Sequence, residues 1–125
     1  FELAGTYAAT EYDATSGAVS AEYEVTVEVN GTEVKITNFW EGGQTVVGTY
    51  DEATQTVTIP TKQLIYVHAS YGDVLMTAVN DEISAYTTAI VCQFAPKGGL
   101  LTTSNWGAVC SAGSFGYFYV SMTHK

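Results

Sequence analysis

The chain has 125 residues, of which 46% are hydrophobic and 14% charged, so it can bury a core and is too apolar for a disordered tail. Its formal net charge is −9, with four lysines and no arginine. Nucleic acids, phosphate esters and anionic membrane surfaces all require clustered cations, so this composition argues against them as partners. Cations and neutral ligands remain compatible with the charge.

The ends of the chain give an expectation about its origin. No apolar run reaches the ~20 residues that a membrane helix needs, so we expect no direct membrane insertion. The chain begins with Phe1 rather than Met. We therefore expect residues 1–125 to be one β-domain of a processed protein or one excised from a larger exported protein.

The first strong pattern is the alternation in "AEYEVTVEVN". Tyr23 and the valines at 25, 27 and 29 lie on one face of an extended chain, and three glutamates and a threonine lie on the other. One buried and one wet face is typical of an antiparallel sheet. Asn30-Gly31 is predicted as a two-residue turn, and "TEVKITNFW" as the returning strand.

The next elements are read in the same way. Glu41–Gln44 is predicted as a turn before the strand "TVVGTY". Asp51 begins another turn, where its side chain can accept a hydrogen bond from a backbone N–H two residues on. "QTVTIP" is predicted as a short strand that ends at Pro60, because proline cannot donate to a sheet ladder.

The second half of the chain continues the alternation. "KQLIYVHAS" and "DVLMTAV" flank a predicted hairpin at Tyr71-Gly72, with His68 on the same face as Leu64 and Tyr66. "AYTTAIVCQFA" is predicted as one long strand, and a turn around 96–99 leads into "LLTTS". "NWGAVCSAGS" has only a loose pattern, and "FGYFYVSMTH" is the predicted last strand.

These elements predict an all-β fold of nine or ten strands. Turns every 8 to 12 residues indicate an antiparallel meander barrel, with a β-sandwich as the alternative. "YDATSGAV" at 12–19 is echoed by "YDEATQTV" at 50–57. We interpret the echo as reuse of one favourable turn rather than duplication of a hairpin.

Cys92 and Cys110 are the two cysteines, and their spacing matches no zinc or thioredoxin motif. Two alternatives remain open. The thiols are free and buried, or they form one structural disulfide that closes a loop of roughly 19 residues, which implies an oxidising compartment.

Catalytic chemistry has few candidates. His68 and His124 are the only side chains that titrate near neutral pH unperturbed, and both are interpreted as structural or exposed. Glu41, Asp51 and Asp73 are the candidate carboxylates of a glycosidase-like pair, although acidic residues are common at turns. No EF-hand pattern supports calcium, and we expect neither a metal nor a cofactor.

Aromatic residues near glycines give the best ligand-binding candidates. We select Trp40, Trp106, Tyr50 and Tyr71, with Glu41 beside the first of them. Exposed aromatic rings stack on the C–H faces of sugars, so a neutral glycan is the preferred ligand and a small apolar ligand the alternative. The competing interpretation is that these large side chains plug the ends of a barrel.

The strand and turn motifs also carry a resemblance. The opening Phe-x-x-x-Gly-x-Tyr, then "YEVTVE", "VKITNFW", "VVGTYD" and "TVTIP" followed by Gln63, resemble the secreted and surface β-domains of gut Bacteroidetes that are called calycin-like or lipocalin-like barrels. The resemblance covers roughly residues 1 to 70 well. It implies an exported protein, often lipid-anchored at a preceding segment, and implies no catalytic residues. Gly5-Thr6-Tyr7 replaces the Gly-x-Trp of lipocalins.

The functional expectation is therefore a non-enzymatic exported barrel module, periplasmic, at the cell surface or secreted, that binds a neutral glycan or a small apolar ligand or has a structural role. The alternatives are a glycoside hydrolase-like enzyme with a carboxylate pair and a purely architectural domain. A binding module requires a concave site lined by the tryptophans, whereas an enzyme requires two carboxyl groups close together in a cleft.

Overall fold

The computed structural model describes residues 1–125 as eleven β-strands and one short 3-10 helix. The strands are β1 (Gly5–Asp13), β2 (Val19–Asn30), β3 (Glu33–Thr37), β4 (Thr45–Asp51), β5 (Thr56–Pro60), β6 (Gln63–His68), β7 (Gly72–Ala78), β8 (Ala89–Ala95), β9 (Leu100–Thr103), β10 (Trp106–Cys110) and β11 (Gly113–His124). The 3-10 helix, Phe39–Glu41, lies between β3 and β4. It is the one helix of the structure, and the structure contains no helix with the length and apolarity needed to span a bilayer.

The strands form a closed antiparallel barrel. Eight of them follow one another in the order β1-β2-β3-β4-β5-β8-β9-β11, and β11 pairs with β1 from Tyr7↔His124 to Asp13↔Phe118. The wall therefore has no first or last strand. The fold is a meander barrel, as predicted, and the sandwich alternative does not describe it.

A smaller sheet extends the barrel at one end. β10, β7 and β6 continue from residues 113–118 of β11 in the order β11-β10-β7-β6, and we call these strands the extension sheet. β5 leads into β6, and β9 into β10, after only two residues each. The chain therefore leaves the barrel wall after β5 and after β9 and continues as strands of the extension sheet. We call this end of the barrel the mouth.

The side-chain amide of Gln63 fills the gap where β6 bends away from β4. Its Nε2 donates to Val47 O at 2.8 Å and to Pro60 O at 2.9 Å. Val47 N in turn donates to its Oε1 at 2.8 Å. The amide has one donor and one acceptor side, like a peptide group, so it satisfies both backbone groups of Val47 that the bend leaves unpaired.

The core is one continuous cluster of 24 buried residues that runs from the barrel into the extension sheet. Alternation decides its members in β2, where Val25 and Val27 are buried and Glu24 and Glu28 exposed. The same holds in β8, where Ile90, Cys92 and Phe94 face inward. The inward face predicted for β2 is confirmed at both valines.

Three predicted details were wrong. The two-residue loop between β2 and β3 is Gly31-Thr32, because Asn30 pairs with Glu33, and Gly31 supplies the positive φ of 63° that such a loop requires at its first position. β8 begins only at Ala89, although Tyr86 makes an isolated bridge with Val79. The chain forms eleven strands rather than nine or ten, and the loosely patterned stretch around residue 106 is one of them, β10.

The echoed turns share two structural features, which reuse of one favourable turn and duplication of a hairpin would both produce. In the β1–β2 turn, Asp13 Oδ1 accepts from Thr15 N at 2.8 Å. In the β4–β5 turn, Asp51 Oδ1 accepts from Ala53 N at 3.0 Å. Four residues after each aspartate, the backbone is left-handed, at Gly17 with φ 75° and at Gln55 with φ 55°.

Candidate functional site

Five aromatic side chains meet at the mouth and form what we call the mouth cluster. Its members are Trp40 from the 3-10 helix, Tyr66 and His68 from β6, Tyr71 from the β6–β7 turn, and Phe115 from β11. Ring centroids lie 5.4 Å apart for Trp40–Phe115 and for His68–Phe115, and 5.0 Å apart for His68–Tyr71. Tyr66 and Phe115 are each 39% exposed and Tyr71 is 51% exposed.

Two irregularities in strand pairing bring these rings to one face. The pairing of β6 with β7 shifts between Leu64 and Tyr66, so Tyr66 lies opposite Val74 and His68 opposite Gly72. Directly opposed residues share a face, and Val74 is fully buried. The mouth cluster therefore continues the core face outward. The prediction that Leu64 shares this face was wrong, because the shift moves it to the other side.

The second irregularity places Phe115. Ala108 pairs with Gly116 and Val109 with Ser114, which leaves Phe115 as the extra residue of a β-bulge. Such a residue is unpaired and its side chain is re-aimed relative to its neighbours. The bulge turns Phe115 toward His68 and Trp40.

Trp40 reaches the cluster because the backbone around it is left-handed. Asn38, Trp40 and Glu41 have φ of 94°, 63° and 55°, a conformation that is uncommon for residues other than glycine. The Asn38 side chain holds the segment, donating from Nδ2 to Glu24 O at 2.9 Å and accepting at Oδ1 from Gly43 N at 3.0 Å. Gly42 packs directly on β6, where an added Cβ would lie 1.6 Å from Ile65 O.

His68 is fixed by the turn that follows it. Its Nδ1 accepts from Ser70 N at 3.0 Å and from Tyr71 N at 3.2 Å. A ring nitrogen that accepts carries no proton, so the neutral ring has its proton on Nε2. The interpretation of His68 as a satisfied strand histidine is consistent with these bonds, and the ring also presents an N–H donor within the mouth cluster.

Three concave surfaces adjoin the cluster. Trp40, Glu41 and Tyr66 line a notch of about 360 Å³. Tyr71 and Phe115 border a smaller hollow of about 200 Å³ beside Cys110. A groove of about 730 Å³ runs along the outer face of the extension sheet from Tyr71 to Tyr86 and includes Leu75 and Val109. At its far end the hydroxyls of Tyr86 and Tyr117 lie 3.1 Å apart.

A buried carboxyl group lies inside the mouth. Glu11 is 1% exposed, and its Oε1 accepts from the Tyr23 hydroxyl at 2.8 Å. Burial raises the pKa of Glu11, and the charge of Glu41 raises it further, against the hydrogen bonds from Tyr23 and Ser20. Burial and the neighbouring Glu11 also raise the pKa of Tyr23. The Tyr23 hydroxyl therefore links β2 to Glu11 on the inward face of β1.

The structure brings together some of the predicted ligand-binding residues and separates others. Trp40, Glu41 and Tyr71 all lie at the mouth. Trp106 is fully buried between Phe39 and Phe118, and its indole N–H has no partner, so it is a core residue as in the plug interpretation.

Tyr50 packs against the core at the opposite end of the barrel, beside Tyr7. The candidate carboxylates lie on separate elements, with Glu41 in the 3-10 helix, Asp51 at the end of β4 and Asp73 in β7. No group of three or more His, Cys, Asp or Glu side chains is arranged to hold a metal ion.

The two cysteines are free thiols, so of the two alternatives the disulfide is not formed. Cys92 is buried in β8, and burial raises the pKa of its thiol to about 12. Cys110 is half-buried at the end of β10 and lines the groove. Only Cys92 fits the expectation of a buried thiol.

Sequence reasoning did not select Tyr66, His68, Phe115 or Glu11 as site residues. For Glu11 a signal was present, because alternation from Tyr7 and Ala9 places it on the inward face of β1. For Tyr66 and Phe115 no local signal exists, since their placement depends on register shifts between paired strands.

The fold defines a class, the closed eight-stranded antiparallel meander barrel, here with an extension sheet that carries an aromatic mouth. Comparison of the chain with family models, with curated proteins and with solved structures found no match.

Proposed function

We propose that the protein is a non-enzymatic binding module of an exported protein and that the mouth cluster is its ligand-binding surface for a neutral glycan. The observation that carries this proposal is the exposure of contiguous aromatic rings that the 3-10 helix, β6, the β6–β7 turn and β11 bring together at the mouth. Contiguous exposed apolar patches rimmed by polar residues mark interaction sites on soluble proteins. A small apolar ligand is the second chemistry that this surface fits.

The arrangement of the rings supports a sugar ligand. His68 and Phe115 stack with an interplanar angle of 25° and centroids 5.4 Å apart, so each ring covers part of one face of the other. The part of this pair that stays open, in which Phe115 is 39% exposed, is a surface on which the C–H face of a pyranose ring can lie. Tyr66 and Tyr71 add hydroxyl groups at the edge of this surface, and His68 adds its Nε2–H. Ligand sites combine such apolar faces with a few convergent polar groups.

The charges around the mouth support a neutral rather than an anionic glycan. No lysine belongs to the mouth cluster, and Glu41 borders it. The chain as a whole has a net charge of −9. An acidic sugar would meet repulsion without a cation to offset it, whereas the hydroxyls of a neutral sugar can donate to a carboxylate.

The export part of the proposal depends on the resemblance to secreted and surface-anchored calycin-like domains given by the strand and turn motifs of residues 1 to 70. Under that proposal the module is displayed outside the cytoplasm, and a lipid anchor belongs to a preceding segment. A disulfide would have supported an oxidising compartment. Because both cysteines are free thiols, the export proposal has no support from them.

The proposal is tested by titrating the protein with a panel of neutral oligosaccharides while following tryptophan fluorescence. Trp106 is fully buried and Trp40 only partly buried, so a spectral shift on binding reports on Trp40. We expect saturable shifts that Phe115→Ala and Tyr71→Ala each weaken by about three- to tenfold.

Tyr12→Ala is the matched control, because Tyr12 stacks on Tyr119 on the outer wall at 5.0 Å and does not belong to the mouth cluster. It is expected to leave the affinity unchanged. If no glycan gives a saturable shift with the folded protein, the sugar proposal fails and the architectural role remains. Equal losses with Tyr12→Ala would place the ligand elsewhere.

A further inference from the structure

The notch beside the mouth cluster has a different chemistry from the cluster itself. It is lined by Trp40, Glu41 and Tyr66 alone, and its volume is about 360 Å³. The two rings meet at an interplanar angle of 76°, with centroids 5.8 Å apart, so they form two walls at a steep angle rather than one flat platform. The third wall is an exposed carboxylate side chain.

This combination favours a cation. The faces of indole and phenol rings carry negative electrostatic potential and attract ammonium groups, and quaternary ammonium is the type of ligand that aromatic walls recognise. A carboxylate at the same notch adds a direct charge interaction. A bare hard cation is a poor fit, because it requires six or more oxygen ligands, and no cluster of acidic and other ligating side chains surrounds the notch.

No protein cation already occupies the Glu41 carboxylate. The structure has two ion pairs, Lys35–Glu33 and Lys125–Glu24, and neither involves the notch. With a net charge of −9, the whole molecule attracts cations.

The notch is also rigid before any ligand binds. Asn38 fixes the 3-10 helix through hydrogen bonds to Glu24 O and from Gly43 N. Gly42 lies in contact with the β6 backbone at Ile65, which fixes the spacing between the helix that carries Trp40 and the strand that carries Tyr66. Walls held at a set angle need little ordering on binding, which favours affinity for a small ligand.

We infer that the notch formed by Trp40, Tyr66 and Glu41 binds the head of a quaternary ammonium compound, with the methyl groups against the two rings and the positive charge beside the carboxylate. This inference goes beyond the glycan proposal, because it names a cation and adds the Glu41 carboxylate to two rings, Trp40 and Tyr66, that the notch shares with the mouth cluster. Loss of glycan binding does not affect it.

The test uses choline chloride as the probe and ligand-observed proton NMR as the measurement. Methyl protons that lie over aromatic faces shift upfield, so a saturable upfield shift of the N-methyl signal is the expected signature. The matched control ligand is 3,3-dimethylbutan-1-ol, which has the same shape without the charge. Sodium chloride at equal ionic strength controls for general screening.

Variants of the protein separate the contributions of the walls. Glu41→Gln keeps the shape of the side chain and removes its charge, and we expect it to weaken choline about fivefold. Glu52→Gln removes one charge from the turn at the other end of β4 and should leave the affinity unchanged. Tyr66→Leu, with folding checked by circular dichroism, should abolish the upfield shift, and Trp40→Leu provides the same test on the other wall. Tyr71→Ala weakens the glycan under the first proposal and leaves choline unaffected.

The trimethylammonium group can come from a free small molecule, a phosphocholine headgroup or a trimethyl-lysine side chain. Phosphocholine carries negative charge toward an anionic protein, so it should bind more weakly than choline, and a trimethyl-lysine peptide should bind more tightly if flanking residues also contact the mouth cluster. The inference is overturned if choline gives no saturable shift, if the uncharged analogue binds equally well, or if Glu52→Gln weakens choline as much as Glu41→Gln.

Discussion

At the end of the barrel where the chain begins and finishes, Tyr7 donates its hydroxyl to Leu3 O at 2.6 Å. His124 lies against Tyr7 and Phe1 with centroids 4.8 and 4.9 Å away. Both of its ring nitrogens lie at hydrogen-bonding distance from backbone carbonyls, Nδ1 at 2.7 Å from Lys125 O and Nε2 at 2.9 Å from Ala4 O. We call this the terminal end.

The mouth also combines a half-buried tyrosine with a histidine among aromatic rings, but their partners differ. Tyr23 donates to the carboxylate of Glu11 rather than to a carbonyl, and His68 accepts from backbone N–H groups rather than facing carbonyls. The terminal end thus uses its rings to hold chain segments together, whereas the mouth leaves ring faces exposed and places a titratable group beneath them. Similar side chains close one end and build a surface at the other.

Two glycines test how firmly each end is held. An alanine Cβ at Gly42 would lie 1.6 Å from the backbone oxygen of Ile65, and one at Gly5 would lie 2.4 Å from the His124 ring. Backbone cannot move aside and a side chain can, so Gly42→Ala should lower the free energy of unfolding by about 3 kcal/mol. Gly5→Ala, at φ +146°, should lower it by about 1 to 2 kcal/mol. Urea unfolding measures both changes.

Gly98→Ala is the control, because nothing lies within 4 Å of a Cβ at that position and its φ is not positive. It should change stability very little. Gly42→Ala should also alter the fluorescence of Trp40, since it displaces the 3-10 helix from β6. We expect the backbone to be packed more tightly at Gly42, at the mouth, than at Gly5, at the terminal end. A larger loss in the free energy of unfolding for Gly5→Ala than for Gly42→Ala would contradict this.

Glu11→Gln tests whether the mouth, unlike the terminal end, responds to pH. Burial raises the pKa of Glu11 above the ordinary 4.5, so the folded protein holds this proton more tightly than the unfolded chain. The stability that Glu11 contributes is present below about pH 4.5 and is lost as pH rises through the folded-state pKa. The amide of Gln still accepts from Tyr23 and cannot ionise, so the variant's stability relative to wild type should rise with pH.

Unfolding titrations from about pH 4 to about pH 8 measure this difference. Tyr7→Phe is the comparison at the terminal end, where it removes a hydrogen bond to a carbonyl and should lower stability by about 1 kcal/mol at every pH in that range. Burial raises the pKa of Tyr7 to about 12, so Tyr7 does not ionise within this pH range. A constant difference between Glu11→Gln and wild type would show that Glu11 is not held protonated.

The smallest effect is expected in the two echoed turns. The β1–β2 turn lies at the mouth, and the β4–β5 turn lies at the terminal end. Gln55 has φ 55° where Gly17 has φ 75°. Gln55→Gly should stabilise by about 0.5 kcal/mol, because relief of left-handed strain slightly exceeds the entropy that glycine adds to the unfolded chain. Gly17→Ala should destabilise by about 1 kcal/mol. Thermal unfolding measures both, and equal signs would mean that the turns are not equivalent.

Much of the barrel could be predicted from particular residues. The alternation in β2 placed Val25 and Val27 inside and the glutamates outside, and the structure confirms it. Asp51 was expected to accept from the N–H two residues on, and it does so from Ala53. These predictions succeeded because side-chain alternation and turn hydrogen bonds depend on neighbours within a few residues.

The site was predicted only in part. Trp40, Tyr71 and Glu41 were chosen because large or acidic residues lay beside glycines, and they do meet at the mouth. The same argument chose Trp106, which is fully buried. The segment around Trp106 has no clear alternation of apolar and polar residues. The sequence therefore did not indicate that Trp106 lies in a strand, β10, and faces the core.

The sequence by itself determined that the chain forms antiparallel strands, which face of most strands is apolar, and where most of the turns lie, because these follow from local periodicity and from the backbone demands of residues such as Asp and Gly. Only the tertiary structure decided that Tyr66 and Phe115 join Trp40. The two bulges that turn those rings outward arise where β6 pairs with β7 and β10 with β11. A one-residue shift in pairing moves a side chain to the other face of a sheet, and that shift is fixed by how whole strands pack together, not by the residues beside the bulge.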